Sequence, residues 1–424
     1  MDKTLCGKFR MDAAYDIALL PYSPVMERDT LEIRCQVFNE GGDDTLELVF
    51  KLDGDVMHTE PLFVKGGTYG FARCRIPMCG RAGTHTVSVN GVCVPLEVRP
   101  DAPAVLDGGF VMLGPPNDRK ALQFTPALKS FTDADWKAYV RAMAAAGMDC
   151  LIVMSTHQYV EYQTPDRALH AHFDSARFPR TDIAAKDPIA AILEEAEVQN
   201  IKVFLGIGCA YGNRGSAEEV DEVYARYCGY RAFYGWYQAK ECNMQHFDIG
   251  EWGFLEVLAQ RMRSHAPVKP ILNSPYEMPG PEIVDYIRRI DFCDILMPQD
   301  WVGQKRLNLQ QSGEMLRILK DTYEAVSKHV WANCEAFNFT EAQSVNAETG
   351  TNFMVPRFRD GGMDGEEGFI QQMETVRPYA EKIMAFMLTG LFLPQDFTPP
   401  AGGPPAEKQF REYTEYAAKA RKNG

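Results

Sequence analysis

Arg231-Ala-Phe-Tyr-Gly-Trp-Tyr-Gln-Ala-Lys-Glu241 decides the reading of this chain. The run opens as an apolar, aromatic strand and ends on a Lys-Glu pair, with Cys242 and Asn243 behind it. An apolar strand that delivers a carboxylate at its carboxyl end is how a (β/α)8 barrel presents a catalytic acid. Gly235 lets a bulky neighbour approach the backbone. Trp236 and Tyr237 supply flat aromatic faces near the acid.

On both sides of this run the pattern is strand, helix, strand, helix. Upstream, Ala121 to Phe124 is a candidate first strand, Cys150 to Met154 a second and Val203 to Ile207 a third. Phe233 to Tyr237 is then the fourth. Downstream, Pro270 to Leu272, Ile295 to Met297, His329 to Asn333 and Ile383 to Met387 complete the count. Thr132 with Asp135 forms a capping box before a helix that runs to Gly147. Asp187 caps another, with Pro188 in its first turn. Eight such units between about 105 and 424 predict an α/β fold, a (β/α)8 TIM barrel. An open doubly wound sheet would carry a Gly-rich phosphate turn after its first strand, and none is found.

Residues 1–100 read differently. Leu31, Ile33, Cys35 and Val37 alternate with polar residues, the period of a half-buried strand, and Leu46, Leu48, Phe50 and Leu52 repeat it. Asn90-Gly91 between alternating runs is a hairpin signal, because both turn positions require positive φ. The expectation is a small immunoglobulin-like β-sandwich. The proline-stiffened Arg99-Pro-Asp-Ala-Pro joins it to a barrel beginning at about 105.

Composition narrows the partners. The net charge of -14 argues against a nucleic-acid surface or an anionic membrane as partner. No apolar stretch is long enough to span a bilayer. The N-terminus shows no signal-peptide pattern, so a cytoplasmic protein is expected, although a trimmed export leader would leave the same sequence. The 11 cysteines are scattered and mostly within apolar strands, as for reduced core thiols. His170-Ala-His172 has the spacing of two metal ligands but no adjoining acid or Cys cluster, and no metal or cofactor is expected.

Function in a barrel sits in the loops after the strands. Those positions give His157, Tyr211, Glu241, Asn273, Tyr276, Gln299, Asp300, Trp301, Asn333 and Glu335. Amides, hydroxyls and aromatic rings in this mixture suit a neutral polyhydroxylated ligand. Glu241 after the fourth strand and Glu335 after the seventh are the two carboxylates that glycoside hydrolysis needs. The segments at about 157–186 and 338–365 are long for barrel loops and read as walls of a cleft, the second carrying Asn338, Asn352, Arg357 and Arg359.

The same positions resemble the clan A glycoside hydrolases, and more closely an uncharacterised bacterial barrel family near them. The likeness rests on Gln123-Phe-Thr, Phe131-Thr-Asp-Ala-Asp-Trp, Gly235-Trp-Tyr with Glu241, Pro298-Gln-Asp and Trp331-Ala-Asn-Cys-Glu-Ala-Phe, across about residues 105–395. The resemblance implies Glu241 as general acid/base, Glu335 as nucleophile, and a carbohydrate substrate hydrolysed with retention. The clan places Asn directly before the acid/base, where this chain has Lys240. Trp236, Tyr237 and Trp301 are the expected sugar platforms, with the other strand-end residues contacting substrate. The alternative reading is a carbohydrate-binding barrel without catalysis.

Overall fold

A computed structural model describes residues 15–114, 126–159, 169–208, 214–246, 248–287, 291–339, 354–358 and 368–423. The N-terminal part is a sandwich of two sheets. One holds Thr30–Phe38 between Tyr15–Leu20 and Tyr69–Pro77. The other runs Val25–Met26, Val92–Arg99, Gly83–Val89, Asp44–Leu52, Asp55–Val64. Leu31, Ile33, Cys35, Phe50, Val87 and Leu96 fill the space between them. Each large apolar side chain withdrawn there contributes about 1.5–3 kcal/mol. The Asn90-Gly91 turn has φ of 45° and 91°, as its residue types predict.

The strand Thr30–Phe38 departs from the half-buried expectation. Its polar alternates Glu32, Arg34 and Gln36 are as buried as its apolar ones, because that face lies against the barrel. Arg34 donates to the carbonyls of Val268 and Pro267 at 2.9 and 3.1 Å, and pairs with Glu32 and Asp294 at 2.6 and 3.1 Å. Tyr22 reaches further in and donates to Asp149 at 2.7 Å. Its ring meets Tyr234 and Trp331 edge-on, which closes the amino-terminal end of the barrel.

The barrel sheet is parallel, and its seventh stave is split. His329–Val330 pairs with the sixth strand, Ile295–Leu296, and Ala332–Glu335 pairs with the eighth, Ile383–Phe386. The break at Trp331 lets one stave serve both neighbours, so the ring closes. The remaining staves are Cys150–Val153, Lys202–Ile207, Phe233–Gln238 and Ile271–Asn273, as the sequence predicts, together with Gly108–Val111 in first place. That last position corrects the sequence reading. Ala121 to Phe124 lies outside the described residues, and the strand pairing with both Cys150–Val153 and Ile383–Phe386 is Gly108–Val111. Its two glycines hide it from a propensity reading. They are required by close approach: a Cβ at Gly108 would collide with the Cys150 carbonyl, and one at Gly109 would stand 2.6 Å from that of Ala385.

Helices follow the staves with the caps the sequence announces. Thr132 and Asp135 make both bonds of their capping box ahead of Asp133–Ala145, and Asp187 accepts from the Ala190 amide ahead of Pro188–Gln199. Among the described residues, no helix is long and apolar enough to cross a membrane.

Candidate active site

The fourth strand alternates, and this decides which aromatics can reach the mouth. Tyr237 points into the barrel, its ring centroid 5.2 Å from that of Phe110, which also meets Phe386 at 5.4 Å. Trp236 points the other way. It is fully buried, with its ring against Phe233 and near Tyr224 of the helix Ala217–Tyr227. Trp236 therefore supports the helix layer and offers no face to a sugar, a correction to its expected role.

Beyond the strand, the Asn273 amide donates to the carbonyls of Gln238 at 2.9 Å and Lys240 at 3.1 Å, fixing the turn that carries Glu241. The Lys240 ammonium pairs with Glu251 at 3.0 Å. Glu241 is half-buried, and Gln299 Nε2 donates to its Oε1 at 3.1 Å. Trp301 Nε1 donates to Gln299 Oε1 at 3.3 Å. Tyr276 stacks on Trp301 at 5.3 Å, and the Arg306 guanidinium lies 4.7 Å from the Trp301 centroid. Trp301 is only 8% exposed beneath these two covers. In this covered arrangement it spaces Tyr276 from Arg306 and presents no open face.

Asp300 is fully buried. Its carboxylate accepts from the backbone amides of Glu335 at 3.1 Å and Val302 at 3.5 Å, and from the Gln372 side chain. It pins the sixth strand's exit to the seventh's, with both carboxylate oxygens engaged by protein donors. Asn333 is also structural in its contacts: its amide donates to Ser274 Oγ at 2.9 Å, while its Oδ1 is buried without a partner.

Glu335 ends the seventh stave at 2% exposure. The sequence suggested no partner for it in the loop above. That partner is Gln304, whose backbone N–H donates to Oε2 at 2.8 Å and whose amide donates to Oε1 at 2.7 Å. Gly303 sits so close that a Cβ there would stand 2.8 Å from the Glu335 Cβ. Arg357 donates twice to the Glu335 carbonyl at 3.3 Å. Burial pushes the Glu335 carboxyl up to about 8, with the Asp300 charge adding to the rise and the Gln304 donors opposing it. Asp300 is raised by its own burial, against the donors it accepts from. One loop, 299–307, thus touches both candidate carboxylates, Glu241 through Gln299 and Glu335 through Gln304.

His157 lies apart from this pair. It is buried between Phe173 and Phe178, with Nδ1 3.0 Å from Thr156 Oγ1 and Nε2 3.7 Å from Glu222. Burial lowers it to about 4 despite Glu222, so it is neutral at neutral pH. Burial likewise lowers His172, to about 3. Tyr211, Asn352 and Arg359 lie outside the described residues. Within the two long loops, His157–Tyr159 pairs antiparallel with Leu169–Ala171 and Phe337–Phe339 with Met354–Pro356. Among the described residues, no group of three His, Cys, Asp or Glu is placed to hold a metal ion.

Residues 106–398 match DUF4434, a domain of unknown function. The chain belongs to the DUF4434 family. No curated protein matches it. Among solved structures, it is similar to a supposed α-L-fucosidase of Bacteroides thetaiotaomicron, with TM-score 0.52 and 17% identity over 73% of this chain and 93% of that one. It is also similar to a Faecalibacterium prausnitzii β-glucuronidase, with TM-score 0.45 and 12% identity over 95% of this chain and 65% of that one. At such identities the first likeness bears on the fold of this DUF4434 protein and on nothing finer.

Proposed function

We propose that this DUF4434 protein is a glycoside hydrolase in which Glu241 is the general acid/base and Glu335 the nucleophile. The observation that carries the reading is the shared loop: carboxylates leaving the fourth and seventh staves of one barrel are joined by hydrogen bonds to residues 299–304. Glycoside hydrolysis needs two carboxyl groups on opposite sides of one bond, one protonated to release the leaving oxygen and one ionised to attack or to activate water. A gap of roughly 5–5.5 Å leaves no room for water and gives retention, the outcome proposed here.

The covered Glu335 belongs to a resting state in this reading. Burial is the largest cause of its raised pKa, so lifting the 301–307 loop readmits water and lets the carboxyl ionise. Turnover of an aryl-glycoside panel tests the assignment. Glu241→Gln and Glu335→Gln should each abolish hydrolysis in a folded protein, and the first-formed anomer should keep the substrate's configuration. Wild-type rates in Glu335→Gln would remove it from the mechanism. The burial of Glu335 also favours a second reading, a carbohydrate-binding barrel without catalysis. Sugar binding with no turnover between about pH 5 and 9 would select that one.

A further inference from the structure

The contacts at Trp301 continue past the carboxylates to a cation. Glu241, Gln299, Trp301 and Arg306 form an unbroken relay: amide to carboxylate at 3.1 Å, indole to amide at 3.3 Å, guanidinium to indole ring at 4.7 Å. Arg306 is held in place twice. The backbone N–H groups of Arg306 and Leu307 both donate to the Trp301 carbonyl, at 3.1 and 3.3 Å. Its guanidinium rests on a ring that Tyr276 stacks in turn. Trp301 and Lys305 adopt left-handed backbone, φ 53° and 57°, a conformation that non-glycine residues hold only where the surroundings enforce it.

Arg306 is exposed and makes no ion pair among the described residues. Where Arg261, Arg226 and Arg317 each hold a carboxylate at 2.6–2.7 Å, the Arg306 guanidinium lies on an aromatic ring that is itself hydrogen-bonded toward Glu241. Arg214, leaving the third stave, is likewise exposed and makes no ion pair among the described residues, and its charge is felt at Cys242 beside Glu241. A guanidinium stacked on an aromatic ring keeps its N–H fork free and its rotamers restricted, so little freedom is lost when an anion docks. Oxyanions are what that fork recognises, two N–H groups against two oxygens.

From this we propose that the site takes an acidic sugar, a uronate or a sulfated residue, with Arg306 as its anion-recognising residue. The proposal rests on the carbohydrate reading of the same mouth and narrows it. It also departs from the neutral polyol that the strand-end residues alone suggest.

Calorimetric titration of the full chain separates the two ideas. The probes are glucuronate, galacturonate, mannuronate and N-acetylglucosamine 6-sulfate, each against its neutral parent sugar. Acidic sugars should bind about tenfold or more tightly than their parents, the scale of one charge-assisted bidentate contact. Arg306→Gln should erase that preference, Arg306→Lys should restore part of it, and added salt should weaken it. Neutral sugars binding as well as acidic ones, no binding of any probe, or an Arg306→Gln variant that keeps the preference would each overturn the proposal. Hydrolysis of the matching aryl glycosides is measured in parallel. Turnover of neutral glycosides without any acidic preference leaves the hydrolase standing and removes Arg306. Arg306-dependent binding of acidic sugars without turnover does the reverse.

Discussion

Gln304 holds both oxygens of Glu335, through its backbone N–H at 2.8 Å and its side-chain amide at 2.7 Å. Both donors favour the ionised carboxylate, yet burial and the Asp300 charge prevail and raise the group to about 8. Folded Glu335 keeps its proton to that value, whereas an unfolded glutamate releases it near 4.5. Unfolding therefore releases a proton between those pH values, and the residue costs stability increasingly as pH rises through that window. Glu335→Gln cannot ionise, and it can still take the Gln304 N–H. It should be more stable than the parent at about pH 8, by on the order of 4 kcal/mol, and close to it at about pH 4. Denaturant unfolding at both pH values checks this, and an equal effect at the two would refute the coupling.

Asp300 is the next group to move. Its charge raises Glu335, so Asp300→Asn should lower the Glu335 pKa and shift the acidic limb of turnover to lower pH. The fold should tolerate the change. Asn Oδ1 can still accept from the Glu335 and Val302 amides, and Gln372 has an unpartnered Oε1 that can turn to meet the new amide. A limb that stays in place while the protein remains folded would show that the Asp300 charge is not felt at Glu335.

Gly303 sets how closely the loop covers Glu335. A methyl there meets the Phe337 carbonyl and the Glu335 side chain. Gly303→Ala should lift the loop, speed hydrogen exchange at the Gln304 amide, and bring the Glu335 pKa down as water enters. Unchanged exchange at Gln304 would mean that the loop absorbs the methyl in its covered position.

What the sequence revealed and what it hid divide along physical lines. Local signals were legible: the Thr132 capping box, the Asp187 cap and the Asn90-Gly91 turn are each decided by a few adjacent residues. Gly108–Val111 was not legible, since two glycines that let neighbouring backbones approach look like a loop. In the sequence Trp236 and Tyr237 look like equivalent cleft aromatics, although adjacent strand residues face opposite ways and only Tyr237 points into the barrel. Trp301 looks like an open platform in the sequence because nothing local shows that Tyr276 and Arg306 lie against its ring. Gln304 is a glutamine in a loop, and its place over Glu335 depends on closure of the whole ring.

Arg34 makes the most exacting test of how the two parts hold together. Its side chain is 1% exposed, and it faces Glu32 at 2.6 Å and Asp294 at 3.1 Å, with carbonyls of Pro267 and Val268 taking its other N–H groups. Asp294 is held well below the ordinary carboxylate range, with Arg34 ahead of Arg263 and Lys328 among the cations that outweigh its burial. Arg34→Met would leave Glu32 and Asp294 buried with less compensation, and breaking a buried pair from one side costs about 3–5 kcal/mol. Replacing all three by apolar residues of similar volume should recover much of that loss, because the desolvation of the charges disappears with them. The recovery should be incomplete, since Arg263 also reaches Asp294, at 3.5 Å, and Arg75 reaches Glu32, at 3.1 Å. Chemical denaturation of the single and triple variants measures both steps. If Arg34→Met proved neutral, the sandwich would have to be held on the barrel by the Tyr22 plug and its aromatic neighbours instead.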